Sequence, residues 1–215
     1  MKIGVLGSGV VGQTLGSGFA SQGHPVMMGT RETDADSVRK WLSNTPKASA
    51  GSFAEAARFG DIVVVSVLGK VVADVIRLAG PDSFKDKTVI DTTNPIADGP
   101  PVNGVLTYFT GPNESLGEKL QALLPAAHVV KAFNSVGSVR MVNPKFEQGT
   151  PTMFLCGDND AAKQQTTEII RQFGWEPFDC GGIIASRALE PLCMLWCIPG
   201  FQHNQWTHAF KVLTH

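Results

Sequence analysis

Ile3-Gly4-Val5-Leu6-Gly7-Ser8-Gly9-Val10-Val11-Gly12 opens a stretch that continues through a helical segment to a second strand ending Gly29-Thr30-Arg31. An apolar strand running into G-x-G-x-x-G, then a helix, then another strand is the pattern of a dinucleotide-binding βαβ unit. Each glycine has its own role in that pattern. Gly7 permits the tight turn out of the strand, Gly9 lets the backbone approach a pyrophosphate, and Gly12 lets the helix pack on the sheet. Ser8, Val10 and Val11 complete the loop, and the helix that starts here turns unpaired N–H groups and a positive dipole end toward the phosphates.

The end of the second strand decides which dinucleotide. A unit built for NAD places Asp or Glu about twenty residues on, to take the ribose 2′-hydroxyl. This chain has Thr30-Arg31 there. A guanidinium offers a planar fork of donors to a phosphate, and the neighbouring hydroxyl adds another, so the expected cofactor is NADP. The competing reading is a solvated arginine pairing with Glu32 or Asp34.

The totals bound the rest. At 215 residues the chain suffices for one domain with an appendage. Charged residues are 17% and hydrophobic residues 43%, which points to surface buried between subunits and to a homodimer. A net charge of −1 without a basic run gives no sign of nucleic acid. The apolar runs, such as Ile62 to Leu68 and Leu192 to Phe201, are short of bilayer-spanning length. With the nucleotide motif already begun at Gly7, a cytoplasmic protein without a leader or membrane segment is expected. Cys156, Cys180, Cys193 and Cys197 form no C-x-x-C pair and read as buried free thiols, with no metal site.

Along the chain, strands are expected at Val26–Gly29, weakly at Ala48–Ala50, at Asp61–Leu68, Lys87–Asp91, His128–Phe133, Thr152–Cys156 and Trp175–Asp179. Helices are expected over Val10–Gln22, Asp36–Ser43, a short one from Ser52, Lys70–Ala79, Ser115–Leu124, Asp160–Phe173 and Ser186–Trp196. The fold class is therefore α/β: a Rossmann-type, doubly wound, mostly parallel sheet over 1–149, with a small strand and helix extension over 150–215 that packs on it and contributes to the dimer contact. Ligands bind such sheets at the carboxyl ends of the strands. That directs attention to Ser66, Val67 and Leu68, and to Thr93-Asn94-Pro95, where Asn94 either contacts nicotinamide ribose or closes a turn. The proline- and glycine-rich stretch Ile96–Pro112 reads as a functional loop. Lys131 is structural, solvated, or able to act on a carbonyl substrate. Arg187 and Glu190, one helical turn apart, are positioned to pair with each other.

Three later stretches carry a family resemblance. Phe154-Leu155-Cys156-Gly157-Asp158-Asn159-Asp160, and Asp179-Cys180-Gly181-Gly182 with Ser186-Arg187-Ala188-Leu189-Glu190, resemble the NADPH-dependent deazaflavin (factor 420) reductases. His128-Val129-Val130-Lys131-Ala132-Phe133-Asn134 is similar to the oxidoreductase domain of the STEAP metalloreductases, of the same wider family. The likeness runs from Met1 to about Gly200. It implies hydride transfer between NADP(H) and FMN, FAD or coenzyme F420 stacked on the nicotinamide. NADP would then be held by Gly7 to Gly12, Thr30, Arg31, Ser66, Val67, Leu68, Asn94, Pro95 and Ala132, with the acceptor docked at Phe133 and Asn134; the competing reading of Phe133 is a core residue that closes the strand. The chain departs from the archaeal-type reductases in having Phe133-Asn134-Ser135 where they carry a histidine-containing segment. It also carries no transmembrane haem domain, so a small soluble redox acceptor is expected.

Two other functions compete. One is NADP-dependent reduction of a small carbonyl or imine, as in the β-hydroxyacid dehydrogenases, which usually add a large helical domain. The other is a non-catalytic NADPH sensor that binds partners through its Trp- and Phe-bearing carboxyl end. Turnover with free flavin separates them. Hydride transfer between stacked rings needs positioning and dryness more than a dedicated acid or base.

Overall fold

The computed structural model describes residues 1–213; Thr214 and His215, the last two positions of the expected extension, lie outside the described residues. Six short strands run parallel: β1 (Ile3–Leu6), β2 (Val26–Gly29), β3 (Ala48–Gly51), β4 (Ile62–Val65), β5 (Thr88–Asp91) and β6 (His128–Lys131). The chain then reverses. β7 (Thr152–Gly157) lies antiparallel to β6, and β8 (Glu176–Asp179) runs parallel to β7, giving one eight-stranded sheet in the order β3-β2-β1-β4-β5-β6-β7-β8. Strand order changes direction at β1, which pairs with both β2 and β4, and this is the switch point of a doubly wound sheet.

Helices cover both faces, which is why the central strands are continuously apolar. Alternate residues serve the two layers. Ile3, Val5, Ile62 and Val64 pack under α1 (Val10–Ser21), α2 (Asp36–Asn44) and α6 (Asp160–Gln172) through Leu15, Phe19, Trp41, Ile169 and Ile170. Leu6, Val63, Val65 and Val89 face α3 (Phe53–Phe59), α4 (Val72–Ala79) and α5 (Leu116–Leu123). Ser52 closes the amino end of α3 with a reciprocal capping box to Glu55, and Ser115 caps α5 by accepting from the Glu118 amide.

The last helix differs from its sequence expectation. α7 (Ser186–His203) runs through Pro191 and Pro199 and ends at a left-handed Asn204. The expected helix ends at Trp196, yet it continues through Gly200, which is small because the Trp206 ring lies on it: a Cβ there would stand 2.3 Å from that ring. One helical stretch, Ile183–His203, is 21 residues long and by length and composition alone apolar enough to cross a membrane, with 44% of its 18-residue apolar window buried inside the protein. Its buried side, with Cys193, Trp196 and Cys197, joins Leu106, Tyr108, Trp206 and Phe210 in a small separate core.

Candidate functional site

The carboxyl ends of β1 and β2 meet the amino end of α1. Gly7 has φ +120°, and any Cβ there would lie 2.5 Å from the Ser66 carbonyl oxygen. Gly12 is equally constrained, since its Cβ would come within 2.0 Å of the Gly7 carbonyl. Gly9 is different. It sits at φ −71°, and a Cβ at this position would meet nothing within 4 Å, so the protein itself leaves this space open. α1 begins with no side-chain cap, which leaves its first N–H groups directed at that opening. The residues fit a pyrophosphate.

Ser8 Oγ and Thr30 Oγ1, 3.0 Å apart, tie the glycine loop to the end of β2. Thr30 is buried and Arg31 exposed; among the described residues Arg31 has no ion pair with Glu32, Asp34 or any other carboxylate. Its guanidinium is available at the adenosine side of the cradle. Val10 and Leu68 are exposed at the same edge, while Ser66 turns inward and donates to the Leu6 carbonyl.

At β5 and β6 the structure corrects three expected roles. Phe133 is 1% exposed, with φ +60° and its ring 5.8 Å from that of Phe173. The left-handed turn just after β6 swings the side chain into the core, so it cannot form a wall for a planar acceptor. Asn134 is buried too: its amide donates to Asn94 Oδ1 and to the Leu189 carbonyl, while Asn94 Nδ2 donates to the Asn134 carbonyl. These two amides clamp the β5 and β6 exits to α7 and offer no docking face from Asn134. Ala132 is fully buried and its N–H is spent on Asp91, while Pro95 is buried beside partly exposed Asn94.

The grouping missed by sequence reasoning lies just beneath. Asp91 and Lys131 end β5 and β6 as register neighbours, and Glu190 reaches them from α7. Lys131 Nζ lies 2.7 Å from Asp91 Oδ2 and 2.8 Å from Glu190 Oε1, and donates to the Thr93 carbonyl at 2.9 Å. Glu190 also accepts from the Leu116 and Gly117 amides that begin α5. Burial alone would lower the Lys131 pKa; its two carboxylate neighbours outweigh that and hold it raised. The strand register held the signal, because two opposite charges closing adjacent apolar strands are best buried together. Arg187 does not pair with Glu190. It makes a bidentate contact with Glu118, whose carboxyl it holds below the usual range.

Residues 96–109 fold back as an arm, with Ile96 bridged to Tyr108 and Val102 to Val105. The arm is fastened to α7 by Tyr108, whose hydroxyl donates to the Glu190 carbonyl, and by Gln202, which donates to the Asn103 carbonyl. Ile96 and Phe109 remain partly exposed beside Pro95. The thiols are free, with Cys180 only half-buried; Cys156 is pushed up to about 11 by burial, which makes it a poor nucleophile. Among the described residues no group of three or more His, Cys, Asp or Glu is disposed to hold a metal ion.

Comparison with known proteins agrees with this geometry. A family model for NADP oxidoreductase, coenzyme F420-dependent, matches residues 2–95. Over 212 residues the chain is 28% identical to metalloreductase STEAP3 of Rattus norvegicus, a match covering 92% of this chain and 38% of that protein. It is 34% identical over 80 residues to metalloreductase STEAP2 of Homo sapiens, covering 37% of this chain and 16% of the relative. The chain thus spans well under half the length of these curated relatives. A crystal structure of an Arthrobacter sp. FB24 protein assigned as an F420-dependent NADP-reductase superimposes with TM-score 0.92 at 29% identity, covering 100% of both chains. An imine reductase of Streptomyces aurantiacus shares the fold at TM-score 0.67 and 13% identity, over 94% of this chain and 63% of that one. The glycine cradle, the Thr30-Arg31 edge and these matches together make the chain similar to the coenzyme F420-dependent NADP oxidoreductases, by the family model over residues 2–95 and by the Arthrobacter structure over its whole length.

Proposed function

We propose that this protein transfers hydride between NADP(H) and a flavin or deazaflavin acceptor, FMN, FAD or coenzyme F420. The observation that carries the cofactor half is the open space at Gly9 facing uncapped α1, with Arg31, which has no ion pair among the described residues, at the end of β2 where an NAD unit would carry a carboxylate. NADP supplies the hydride chemistry when bound. The chain's own part is to seat the pyrophosphate on α1, grip the 2′-phosphate with Thr30 and Arg31, and keep water from the nicotinamide end.

Arg31→Ala is therefore expected to raise the Kd for NADPH about tenfold, about 1.4 kcal/mol, while leaving NADH binding unchanged. Calorimetric titration of both nucleotides checks this. Equal affinities in the wild type would remove the 2′-phosphate assignment.

With Phe133 in the core, the acceptor needs another wall. The exposed apolar residues at this edge are Leu68, whose following glycine abuts the Asn94 carbonyl, and Ile96 and Phe109 on the arm. A planar ring held by dispersion needs such a surface and no ionisable handle. Phe109→Ala should slow NADPH-dependent reduction of the acceptor by roughly tenfold and leave NADPH affinity within about twofold. Comparing single-turnover rates and titrations of the two proteins with FMN, FAD and coenzyme F420 is the test. Rates that do not change with any acceptor would place the acceptor elsewhere.

Carbonyl or imine reduction is less well supported, because its product oxygen or nitrogen needs a proton donor. Lys131, the sequence candidate, is fully buried between two carboxylates, and Tyr108 is engaged with a backbone carbonyl. The exposed apolar residues Leu195 and Phe201 on α7 support the homodimer as part of the same proposal.

A further inference from the structure

The densest group of buried charges in the protein is more than a tie between strands. Asp91, Lys131 and Glu190 are each at most 2% exposed in their side chains. The ammonium sits between the two carboxylates: Asp91 Oδ1 accepts from the Thr93 amide and hydroxyl, Asp91 Oδ2 makes no hydrogen bond but pairs with Lys131 at 2.7 Å, Glu190 Oε1 takes the Gly117 amide and pairs with Lys131 at 2.8 Å, and Glu190 Oε2 takes the Leu116 amide. Two carboxylates and one ammonium leave one net negative charge. The amino end of α5 offsets only a fraction of it. The exposed Lys70–Asp98 pair near the same edge sums to zero and is screened by solvent.

The location gives this charge a target. In a doubly wound sheet the two halves of a dinucleotide lie on either side of the switch point. Arg31 at the end of β2 marks the adenosine side, so the nicotinamide half falls over the carboxyl ends of β4, β5 and β6. Asp91 and Lys131 are the last residues of two of those strands. The nicotinamide ring is neutral in NADPH. On losing hydride, a proton with both bonding electrons that passes to the flavin or deazaflavin, the ring becomes a cation. A negative charge buried close by, in a poorly polarisable interior, interacts with one of these two states and not the other.

We propose that the Asp91–Lys131–Glu190 cluster is a redox-tuning element that favours bound NADP+ over bound NADPH and so draws hydride toward the acceptor. This rests on the NADP reading of the edge above, but not on which acceptor is used. Glu190 and Asp91 are positioning and tuning residues that touch neither ring.

The test is calorimetric titration of NADP+, NADPH and 2′,5′-ADP, the last a fragment that ends before the nicotinamide, on the wild type and on Glu190→Gln. In the wild type, Kd for NADP+ divided by Kd for NADPH is expected below one. In Glu190→Gln, which keeps the shape and removes the charge, that ratio is expected to rise about three- to tenfold with 2′,5′-ADP affinity unchanged. Asp91→Asn removes the charge from the β5 side and should shift the ratio in the same direction. Equal losses for both redox states would show a purely structural role and overturn the proposal. So would a wild-type ratio above one, whether or not either variant folds. Failure of all three nucleotides to bind would overturn the NADP reading along with it, whereas failure to reduce any flavin leaves the ratio, and this inference, standing.

Discussion

Lys131→Met should destabilise the protein by about 3–5 kcal/mol, because it strands two carboxylates in an interior they enter only as partners of that ammonium. For a chain of this size that corresponds to a fall in Tm on the order of 10 °C. The clamp around it would loosen together: the Thr93 carbonyl loses its donor, and the first turns of α7 lose their anchor to β6. Arg187→Met offers the contrast. Its pair with Glu118 is about a third exposed, so the change should cost no more than about 1 kcal/mol. Urea unfolding of both variants measures the difference. A Lys131→Met protein as stable as wild type would show that the cluster is not a structural keystone.

Gly9→Val is the second large effect, and it falls on binding alone. At φ −71° any residue is comfortable, and a Cβ meets no protein atom within 4 Å, so the Tm should hold within a few degrees. The side chain instead fills the space for the pyrophosphate. The Kd for NADPH should rise about 100-fold or more, about 2.7 kcal/mol. Gly12→Val should behave in the opposite way, since its Cβ would press within 2.0 Å of the Gly7 carbonyl and break the packing of α1 on the sheet. Titration and thermal melts of the two variants separate the cradle glycine from the packing glycine.

The first βαβ unit was legible because local chemistry alone dictates it. Gly7 must reach a positive φ, the strands must be apolar on both faces, and the ends of β1 and β2 fall where the pattern places them. The continuously β-branched β4 announced a central strand for the same reason. What was not legible depends on long-range geometry. Phe133 reads as the end of a strand at the ligand edge, and only the left-handed turn after Lys131 reveals that its ring enters the core. Helical spacing pairs Glu190 with Arg187 three residues before it, but the fold brings it to a lysine 59 positions earlier in the chain, and Arg187 turns to Glu118. The reversal at β7 and the full length of α7 were hidden similarly: proline and glycine near 199–200 mimic a helix end until Trp206 is seen lying on Gly200. The arm over 96–109 could be read as a functional loop, but its attachment through Tyr108 and Gln202 could not.

Hydride passing from NADPH to a flavin-type ring at the carboxyl edge of β4 to β6 is the step on which the proposed function depends. The direct measurement is anaerobic single-turnover oxidation of NADPH, followed by the loss of its nicotinamide absorbance, with FMN, FAD and coenzyme F420 in turn and with NADPH carrying deuterium or hydrogen at the transferred position. Oxidation is expected with at least one of the three, slowed by deuterium because the carbon–hydrogen bond breaks in the observed step, and much slower with NADH. NADPH that binds yet is oxidised by none of the three would contradict hydride transfer to a flavin-type acceptor.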